Sequence, residues 1–244
     1  MARPDEPQII YGRNPVAEAR RGRRRVWRVW TPAELSGDEL TRLAGSPDHQ
    51  GLVAEVDPYL YADPDSLLAA ADALVVVLDE VQDPRNLGAV CRSAEAAGAS
   101  GVVVPERRSA AITAAACKAS AGAVEHLSVA RVRNLADWLG RAKGAGAWIY
   151  GARTAGSAAE SGAEPASDLT THTDADLRGR VVLVLGSEGR GLRPRVAGGC
   201  DLLLSIPMAG RVASLNVSAA ATVLLFEARR QRAGEARPSA PSGP

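Results

Sequence analysis

The chain has 244 residues, and 46% of them are hydrophobic, which is enough to form a core and excludes global disorder. Its apolar runs, such as residues 73–78 and 181–185, are far shorter than the roughly 20 residues of a membrane span, and no apolar signal-peptide segment begins the chain. The three cysteines and three histidines show neither a disulfide framework nor metal-ligand spacing. We therefore expect a cytoplasmic protein without a structural metal.

The net charge is only +1, but positive charge is concentrated near the N-terminus. Residues 1–30 contain three acidic residues and eight arginines: Arg3, Arg13, Arg20, Arg21, Arg23, Arg24, Arg25 and Arg28. Such a cluster can contact phosphate groups. The alternative is an ordinary solvent-exposed face of the protein. Because nearly all basic residues of this chain are arginines, such a face would be rich in arginine as well.

The first 58 residues predict a small α/β unit. Asn14 and Pro15 are typical of a helix start, and Gly22 is a natural stop. Residues 25–30 and 51–57 are candidate strands. Residues 59–72, which include Pro64, then predict a linker.

From residue 73 onward, apolar strand candidates alternate with helical segments. The predicted strands are 73–79, 101–105, 127–132, 147–151, 181–185 and 202–206, and the predicted helices are 87–97, 112–120, 135–145 and 217–232. Because these strands are apolar throughout, they predict an α/β fold with a parallel sheet covered on both faces. Residues 152–180 predict a long functional or mobile loop, and residues 233–244 a disordered tail.

The first polar cluster follows the strand at 73–79 and contains Asn86, Gly88 and Arg92. Asn86 could be a helix N-cap and Gly88 a close-packing position, which would be purely structural roles. Arg92 lies about one and a half turns after Asn86, so both side chains are expected to face the crevice at the strand ends. An arginine in the second helical turn gains nothing from the helix dipole, which favours a functional role.

The second cluster follows the strand at 181–185. Gly186, Gly189 and Gly191 allow a ligand to approach the backbone closely. Their spacing differs from the dinucleotide-binding fingerprint and no Walker lysine follows, so a nicotinamide or nucleotide-phosphate site is poorly supported. Glu188 places a carboxylate inside this loop.

The third cluster joins the last predicted strand to the last predicted helix. Pro207 stops the strand, and Gly210, Ser214 and Asn216 follow in a polar loop. Ser214 or Asn216 could simply cap the helix. The crowding of such residues at a strand-to-helix crossing also indicates a ligand site, because open sheets bind ligands there.

Together, the three clusters resemble the motifs of the SpoU/TrmH family, the SPOUT-class RNA ribose 2′-O-methyltransferases. The similarity covers residues 73–232 and includes Asn86-x-Gly88-x-x-x-Arg92, Leu185-Gly186-Ser187-Glu188-Gly189-x-Gly191 and Ile206-Pro207-Met208-x-Gly210-x-x-x-Ser214-Leu215-Asn216-Val217-Ser218. Tyr11-Gly12-x-Asn14-Pro15-Val16 and His49-Gln50-Gly51 resemble the L30e-like substrate-binding domain of the subgroup that modifies a guanosine of 23S rRNA. Between Trp30 and His49 this domain is shorter than the usual version by a strand–helix segment.

The resemblance implies a fold, a cofactor and site residues. The sheet would carry a deep C-terminal trefoil knot, and the protein would be a homodimer that uses S-adenosylmethionine. Gly186, Ile206 and Leu215 would contact the cofactor. Arg92 would be the catalytic arginine; because a guanidinium is almost always charged, we expect it to position the ribose hydroxyl and a phosphate rather than act as a base. The residues that orient Arg92 and the ribose would be Asn86, Glu188, Ser214 and Asn216.

The resemblance also implies a domain organisation and a partner. Residues 1–58 would bind RNA, 59–72 would be a linker, 73–232 the methyltransferase domain and 233–244 the tail. The ribose 2′-OH marks the substrate as RNA rather than DNA, and no membrane partner is expected. A guanosine of 23S rRNA is the leading target. The alternatives are a tRNA guanosine, an antibiotic-resistance rRNA adenosine, and an RNA-binding assembly factor that has lost catalysis.

Overall fold

The N-terminal part of the chain forms a small antiparallel sheet with two helices. The computed structural model describes residues 6–153, 169–187 and 189–234. The first elements are β1 Gln8–Tyr11, α1 Arg13–Arg21, β2 Val26–Trp30, α2 Gly37–Ala44 and β3 Val53–Val56. The strand order is β1-β3-β2, and both pairings are antiparallel.

A seven-stranded sheet dominates the rest of the molecule. Its strands are β4 Leu74–Asp79, β5 Gly101–Pro105, β6 Val129–Val132, β7 Trp148–Ala152, β8 Leu169–Thr171, β9 Val181–Gly186 and β10 Leu202–Ser205. They lie in the order β6-β5-β4-β9-β7-β10-β8, and every pairing is parallel. The predicted parallel α/β sheet is therefore confirmed.

Helices cover both faces of this sheet. They are α3 Pro84–Ala97, α4 Ala114–Ala119, α5 Leu135–Gly144, α6 Pro194–Ala197 and α7 Val217–Gly234. Successive side chains of a strand point to opposite faces. Val76 and Leu183 accordingly pack in the cluster that contains residues of α3, α4 and α7, whereas Val75 and Val182 pack in the cluster that contains residues of α5 and α6.

Four short elements were not predicted from the sequence: β1, α2, β8 and α6. Of these, α2 has a recognisable start signal. Ser36 accepts the backbone N–H of Glu39, and the Glu39 carboxylate accepts the backbone N–H of Ser36, which is a complete capping box. The helix thus fills the interval between Trp30 and His49, for which the sequence pattern indicated no element.

The predicted loop and tail fall partly outside the described residues. Of residues 152–180, the structure describes 152–153 and 169–180, which include strand β8 and a turn. Helix α7 continues through Gly234, two residues beyond its predicted end at 232. The rest of the predicted tail, residues 235–244, lies outside the described part of the chain.

The N-terminal unit is joined to the large sheet by a shared core and a buried ion pair. Ile10, Val16 and Ala54 belong to the same hydrophobic cluster as Val76 of β4. Arg24 Nε donates to Glu125 Oε2 at 2.9 Å, and its guanidinium makes a second, short contact with Glu125 Oε1. Both side chains are almost fully buried. Arg24 therefore does not belong to the exposed basic cluster that the sequence suggested.

The segment predicted as a linker, residues 59–72, also lies against the large sheet. The Tyr59 hydroxyl donates to the Leu127 carbonyl oxygen at 3.1 Å, and the Tyr61 hydroxyl accepts the Ile112 backbone N–H at 3.0 Å. Ala62 forms an isolated parallel bridge with Ala130 of β6. These contacts hold the connection in a defined path between the two sheets.

Candidate functional site

An open cleft of about 310 Å³ lies where strands β4 and β9 end. It is lined by Glu80, Val81, Gln82, Asp83, Asn86, Ser187, Arg190 and Val217. These residues come from all three polar regions of the sequence. Because parallel strands present their carboxyl ends at one edge of the sheet, segments that are distant in the chain converge there.

The start of helix α3 forms one wall of the cleft. Asp83, not Asn86, is the N-cap, because its carboxylate accepts the Arg85 backbone N–H at 2.8 Å. Asn86 is the third residue of this helix, so it is not the capping residue. Gly88 is a close-packing position as predicted: a Cβ atom there would lie 2.4 Å from the Ala116 carbonyl oxygen.

Asn216 connects the third cluster to the first. Its Nδ2 donates to Asn86 Oδ1 at 3.0 Å. Its Oδ1 accepts the backbone N–H of Ser218 at 2.8 Å, which makes Asn216 the N-cap of α7. Of the two capping candidates in the sequence, Asn216 is thus the correct one, and the same side chain also contacts Asn86 in the cleft wall.

The glycine loop, residues 186–191, folds back on itself. Ser187 and Gly191 form an isolated antiparallel bridge, with the Gly191 N–H donated to the Ser187 carbonyl oxygen at 3.0 Å. A Cβ atom at Gly186 would lie 2.1 Å from the Gly191 carbonyl carbon, so only glycine fits. Gly191 itself has φ +65°, a conformation that favours glycine. Glu188, predicted as a site residue, lies outside the described residues.

Asp79 and Arg193 form a site contact that the motif analysis missed. The Asp79 carboxylate is fully buried at the end of β4 and accepts the Arg193 backbone N–H at 2.9 Å and its Nε–H at 2.7 Å. The sequence contained a signal, since a buried strand that ends in a carboxylate needs a charged or polar partner nearby.

The loop at residues 206–216 offers backbone groups to a ligand. No backbone–backbone hydrogen bond to any described residue involves residues 206–215. Ser214 is exposed, Leu215 is 36% exposed, and Ile206 packs at the margin of the main core. The three predicted cofactor contacts, Gly186, Ile206 and Leu215, therefore lie in or beside two loops with accessible backbone.

Arg92 is exposed on α3 and does not line the cleft. Arg92 lies six positions after Asn86, and about 100° per residue places the two side chains roughly 120° apart around the helix axis. The expectation that both side chains face the same crevice is therefore wrong within one chain. Among the described residues, Arg92 has no hydrogen-bond or ion-pair partner.

The described residues contain no cluster of His, Cys, Asp or Glu suited to a metal ion. Burial raises the pKa of Cys117 to about 11 and that of Cys200 to about 12, so both thiols are protonated at neutral pH and are poor nucleophiles. None of the helices in the described ranges is both long and apolar enough to cross a membrane.

Comparisons with known proteins agree with these motifs. The model of the SpoU rRNA methylase family matches residues 73–226. A Mycolicibacterium smegmatis protein named uncharacterized tRNA/rRNA methyltransferase is 40% identical over an alignment that covers 93% of this chain and 78% of the relative. A relative from Mycobacterium avium with the same name is also 40% identical, with 95% of this chain and 80% of the relative covered.

Solved structures show the same similarity. The complex of the SpoU methyltransferase AviRb from Streptomyces viridochromogenes with the cofactor AdoMet has a TM-score of 0.73 and 30% identity, and covers 93% of this chain and 90% of that one. A structure described as an RNA 2′-O ribose methyltransferase has a TM-score of 0.76 and 25% identity, with 92% and 88% of the two chains covered. The chain belongs to the SpoU rRNA methylase family of RNA methyltransferases.

Proposed function

We propose that the protein transfers a methyl group from S-adenosylmethionine to a ribose 2′-OH of RNA, with a guanosine of 23S rRNA as the leading target. The observation that carries this proposal is the hydrogen bond from Asn216 to Asn86, which joins the first and third motifs at the cleft. Further support comes from AviRb, a SpoU methyltransferase solved with AdoMet, and from relatives named tRNA/rRNA methyltransferases. We infer that the enzyme acts in the cytoplasm, where rRNA is assembled into ribosomes and tRNA is charged for translation.

The two loops beside the cleft fit the cofactor. Adenine offers both hydrogen-bond donors and acceptors along its edges. Residues 206–215 make no backbone–backbone hydrogen bond to a described residue, so their N–H and C=O groups can satisfy both. The absence of a side chain at Gly186 keeps the glycine loop compact, and Ile206 and Leu215 supply apolar contact. When bound, S-adenosylmethionine supplies an electrophilic methyl group on its sulfonium.

The chain's own residues must then align a weak nucleophile. A ribose 2′-OH reacts only when it is held in line with the methyl group and can lose its proton. We assign Asn86 and Asn216 to orienting the ribose, since their amides meet at the cleft wall. Ser214 and Glu188 are assigned to the same task by their motif positions. Arg92 holds the hydroxyl and the neighbouring phosphate as a fixed positive charge.

Arg92 reaches this site if two chains share it, and we therefore propose a homodimer. Among the described residues, six large apolar side chains are at least about one-third exposed, and four of them belong to the 206–216 loop or to α7: Met208, Val212, Leu215 and Phe226. Their concentration near the C-terminus is typical of an interface between subunits. We also propose that the chain is knotted there, and the insertion of β10 between β7 and β8 supports this.

The N-terminal unit supplies a basic surface for RNA. Arg13, Arg20, Arg21 and Arg23 are exposed on and after α1. Just before strand β2, the Arg25 guanidinium lies 4.0 Å from the Trp27 ring centroid, and on the strand that of Arg28 lies 5.0 Å from the Trp30 ring centroid. We propose residues 1–58 as an RNA-binding domain, 59–72 as its connection and 73–232 as the methyltransferase domain.

The test is methyl transfer from tritium-labelled S-adenosylmethionine to transcripts of 23S rRNA and, separately, to bulk tRNA. We expect label in 23S rRNA, and nuclease digestion should release it as a 2′-O-methylated guanosine. Label confined to tRNA would move the target to the alternative substrate. RNA binding without transfer to any RNA would support the inactive assembly factor and refute the proposed reaction.

A further inference from the structure

The glycine loop leaves the sheet beside a buried carboxylate. Gly186, the last residue of β9, is paired in register with Asp79, the last residue of β4. The Asp79 side chain is fully buried. A carboxylate at this depth is strongly disfavoured unless hydrogen bonds and a positive charge compensate the loss of water.

Arg193 provides that compensation from the far end of the loop. Its backbone N–H donates to Asp79 Oδ2 at 2.9 Å, and its Nε and Nη2 lie 2.7 Å from Oδ1. The chain thus starts the loop next to Asp79 and returns to Asp79 seven residues later. The contact joins the two ends of the loop that we propose holds the cofactor.

The neighbouring residue Glu80 takes part in the same arrangement. Its carboxylate lies 3.7 Å from Arg193 Nη1 and 3.4 Å from Arg108 Nη1, and it lines the cleft. Its backbone has φ +58°, which is uncommon for a residue other than glycine. Unusual backbone conformations persist where the surrounding structure enforces them, and they concentrate at ligand sites.

We propose that Asp79 is a positioning residue that acts through Arg193 to hold together the described ends of the glycine loop, Gly186 and residues 189–193, so that their backbone is preorganised for S-adenosylmethionine. This inference rests on the proposed function, because it assigns a task to the cofactor loop. Neither residue needs to touch the cofactor. A loop that is already ordered binds a ligand more tightly because less conformational entropy is lost on binding.

The test compares Asp79→Asn with wild type by three measurements. Asparagine has one acceptor oxygen, so its amide NH₂ must face a donor of Arg193 and at least one charge-assisted bond is lost. We expect the dissociation constant for S-adenosylmethionine, measured by calorimetry, to rise by about tenfold or more. Trypsin should cut faster after the exposed Arg190, and the new N-terminus at Gly191 identifies that cut. Affinity for 23S rRNA should be unchanged.

A matched control is Asp201→Asn. Asp201 also binds a backbone N–H, that of Ile149 at 2.8 Å, and a basic side chain, Lys143 Nζ at 2.7 Å. It precedes β10 and therefore lies at the opposite edge of the parallel sheet. We expect this variant to lose some thermal stability while its cofactor affinity and its cleavage after Arg190 stay at the wild-type level.

Coupling between the two residues decides whether Asp79 acts through Arg193. Adding Arg193→Gln to Asp79→Asn should weaken cofactor binding little further, because the contact is already broken. Fully additive losses, or an Asp79→Asn variant that keeps wild-type cofactor affinity, would overturn the inference. If the wild-type chain binds no S-adenosylmethionine, the proposed function fails instead, and faster cleavage after Arg190 in Asp79→Asn would still support the role of Asp79 in holding the loop ends together.

Discussion

Asn216 donates from Nδ2 to Asn86 Oδ1 at 3.0 Å across 130 positions of the chain. The same Asn216 side chain caps α7 through the Ser218 backbone N–H. One amide therefore stabilises the last helix with its oxygen and reaches the cleft wall with its nitrogen. The capping role of Asn216 is observed and its role in the reaction is proposed, and a suitable substitution can separate the two.

Asn216→Ser should keep the cap and lose the contact with Asn86. Serine is as good an N-cap as asparagine, but its side chain is too short to reach Asn86. We expect a strong loss of methyl transfer with thermal unfolding close to wild type. Asn216→Ala, the control, should lose activity equally and about 1 kcal/mol of stability as well. Full activity in Asn216→Ser would reduce this residue to a helix cap.

Arg92→Ala should abolish methyl transfer without destabilising the fold. The side chain is exposed and makes no hydrogen bond or ion pair with another described residue, so its removal breaks none of these. We expect kcat to fall by about 100-fold or more, the range seen when a positioned charge is removed from a transition state. Arg141→Ala on α5 is the control, since it removes only a surface pair with Asp65. Equal activity of the two variants would refute the role of Arg92.

Gly186→Ala should disrupt the glycine loop. The new Cβ would lie 2.1 Å from the Gly191 carbonyl carbon, so the loop backbone must move. We expect cofactor binding measured by calorimetry to be lost. Gly140→Ala on α5 is the matched control, because its Cβ would meet no atom within 4 Å. In a helix interior that change should be neutral or stabilise by up to about 1 kcal/mol.

Phe226→Asp should dissociate the proposed homodimer. Phe226 is 45% exposed on α7, and a carboxylate there would be buried between subunits. Light scattering after size-exclusion chromatography should show a monomer, and methyl transfer should fall with it if the site is shared. Leu60→Asp is the control, because Leu60 is 84% exposed in the 59–72 segment. A dimer that persists in Phe226→Asp would locate the interface elsewhere or exclude it.

Glu125→Ala should destabilise the whole chain. It leaves the buried Arg24 guanidinium without its carboxylate, a change that typically costs about 3–5 kcal/mol. Denaturant unfolding measures this loss. Adding Arg24→Met should restore part of the stability, because the unpaired charge is removed as well. If the double variant were as unstable as the single one, packing rather than charge would explain the loss.

The large sheet could be predicted from the sequence because its strands are buried on both faces and read as apolar runs between helices. The strand at 101–105 was predicted to the residue, and the strands at 73–79 and 181–185 to within one residue. Strand β8 and helix α6 contain three and four residues, too few to show a period.

The site could be predicted only as far as its motifs. Asn86 and Asn216 were identified from sequence, and the structure brings them into contact. The identity of the α3 cap depends on the exact starting residue of the helix, which the sequence pattern does not define. The angle between Asn86 and Arg92 follows from their spacing alone, so the expectation that both face one crevice was a wrong interpretation of a spacing already visible in the sequence. The pairing of Asp79 with Arg193 joins the end of β4 to the residue that precedes α6. Neither residue belongs to a motif that would indicate its partner.

The core that the N-terminal unit shares with the large sheet affects how the protein can be divided. Ile10, Val16 and Ala54 pack in one cluster with residues of β4 and α3, and the Arg24–Glu125 pair lies within that contact. Removal of residues 1–58 would expose this apolar surface and would leave the buried Glu125 carboxylate without Arg24. We therefore expect the two topologies on either side of residue 58 to unfold as one cooperative unit, so that a shortened chain would not yield a minimal enzyme.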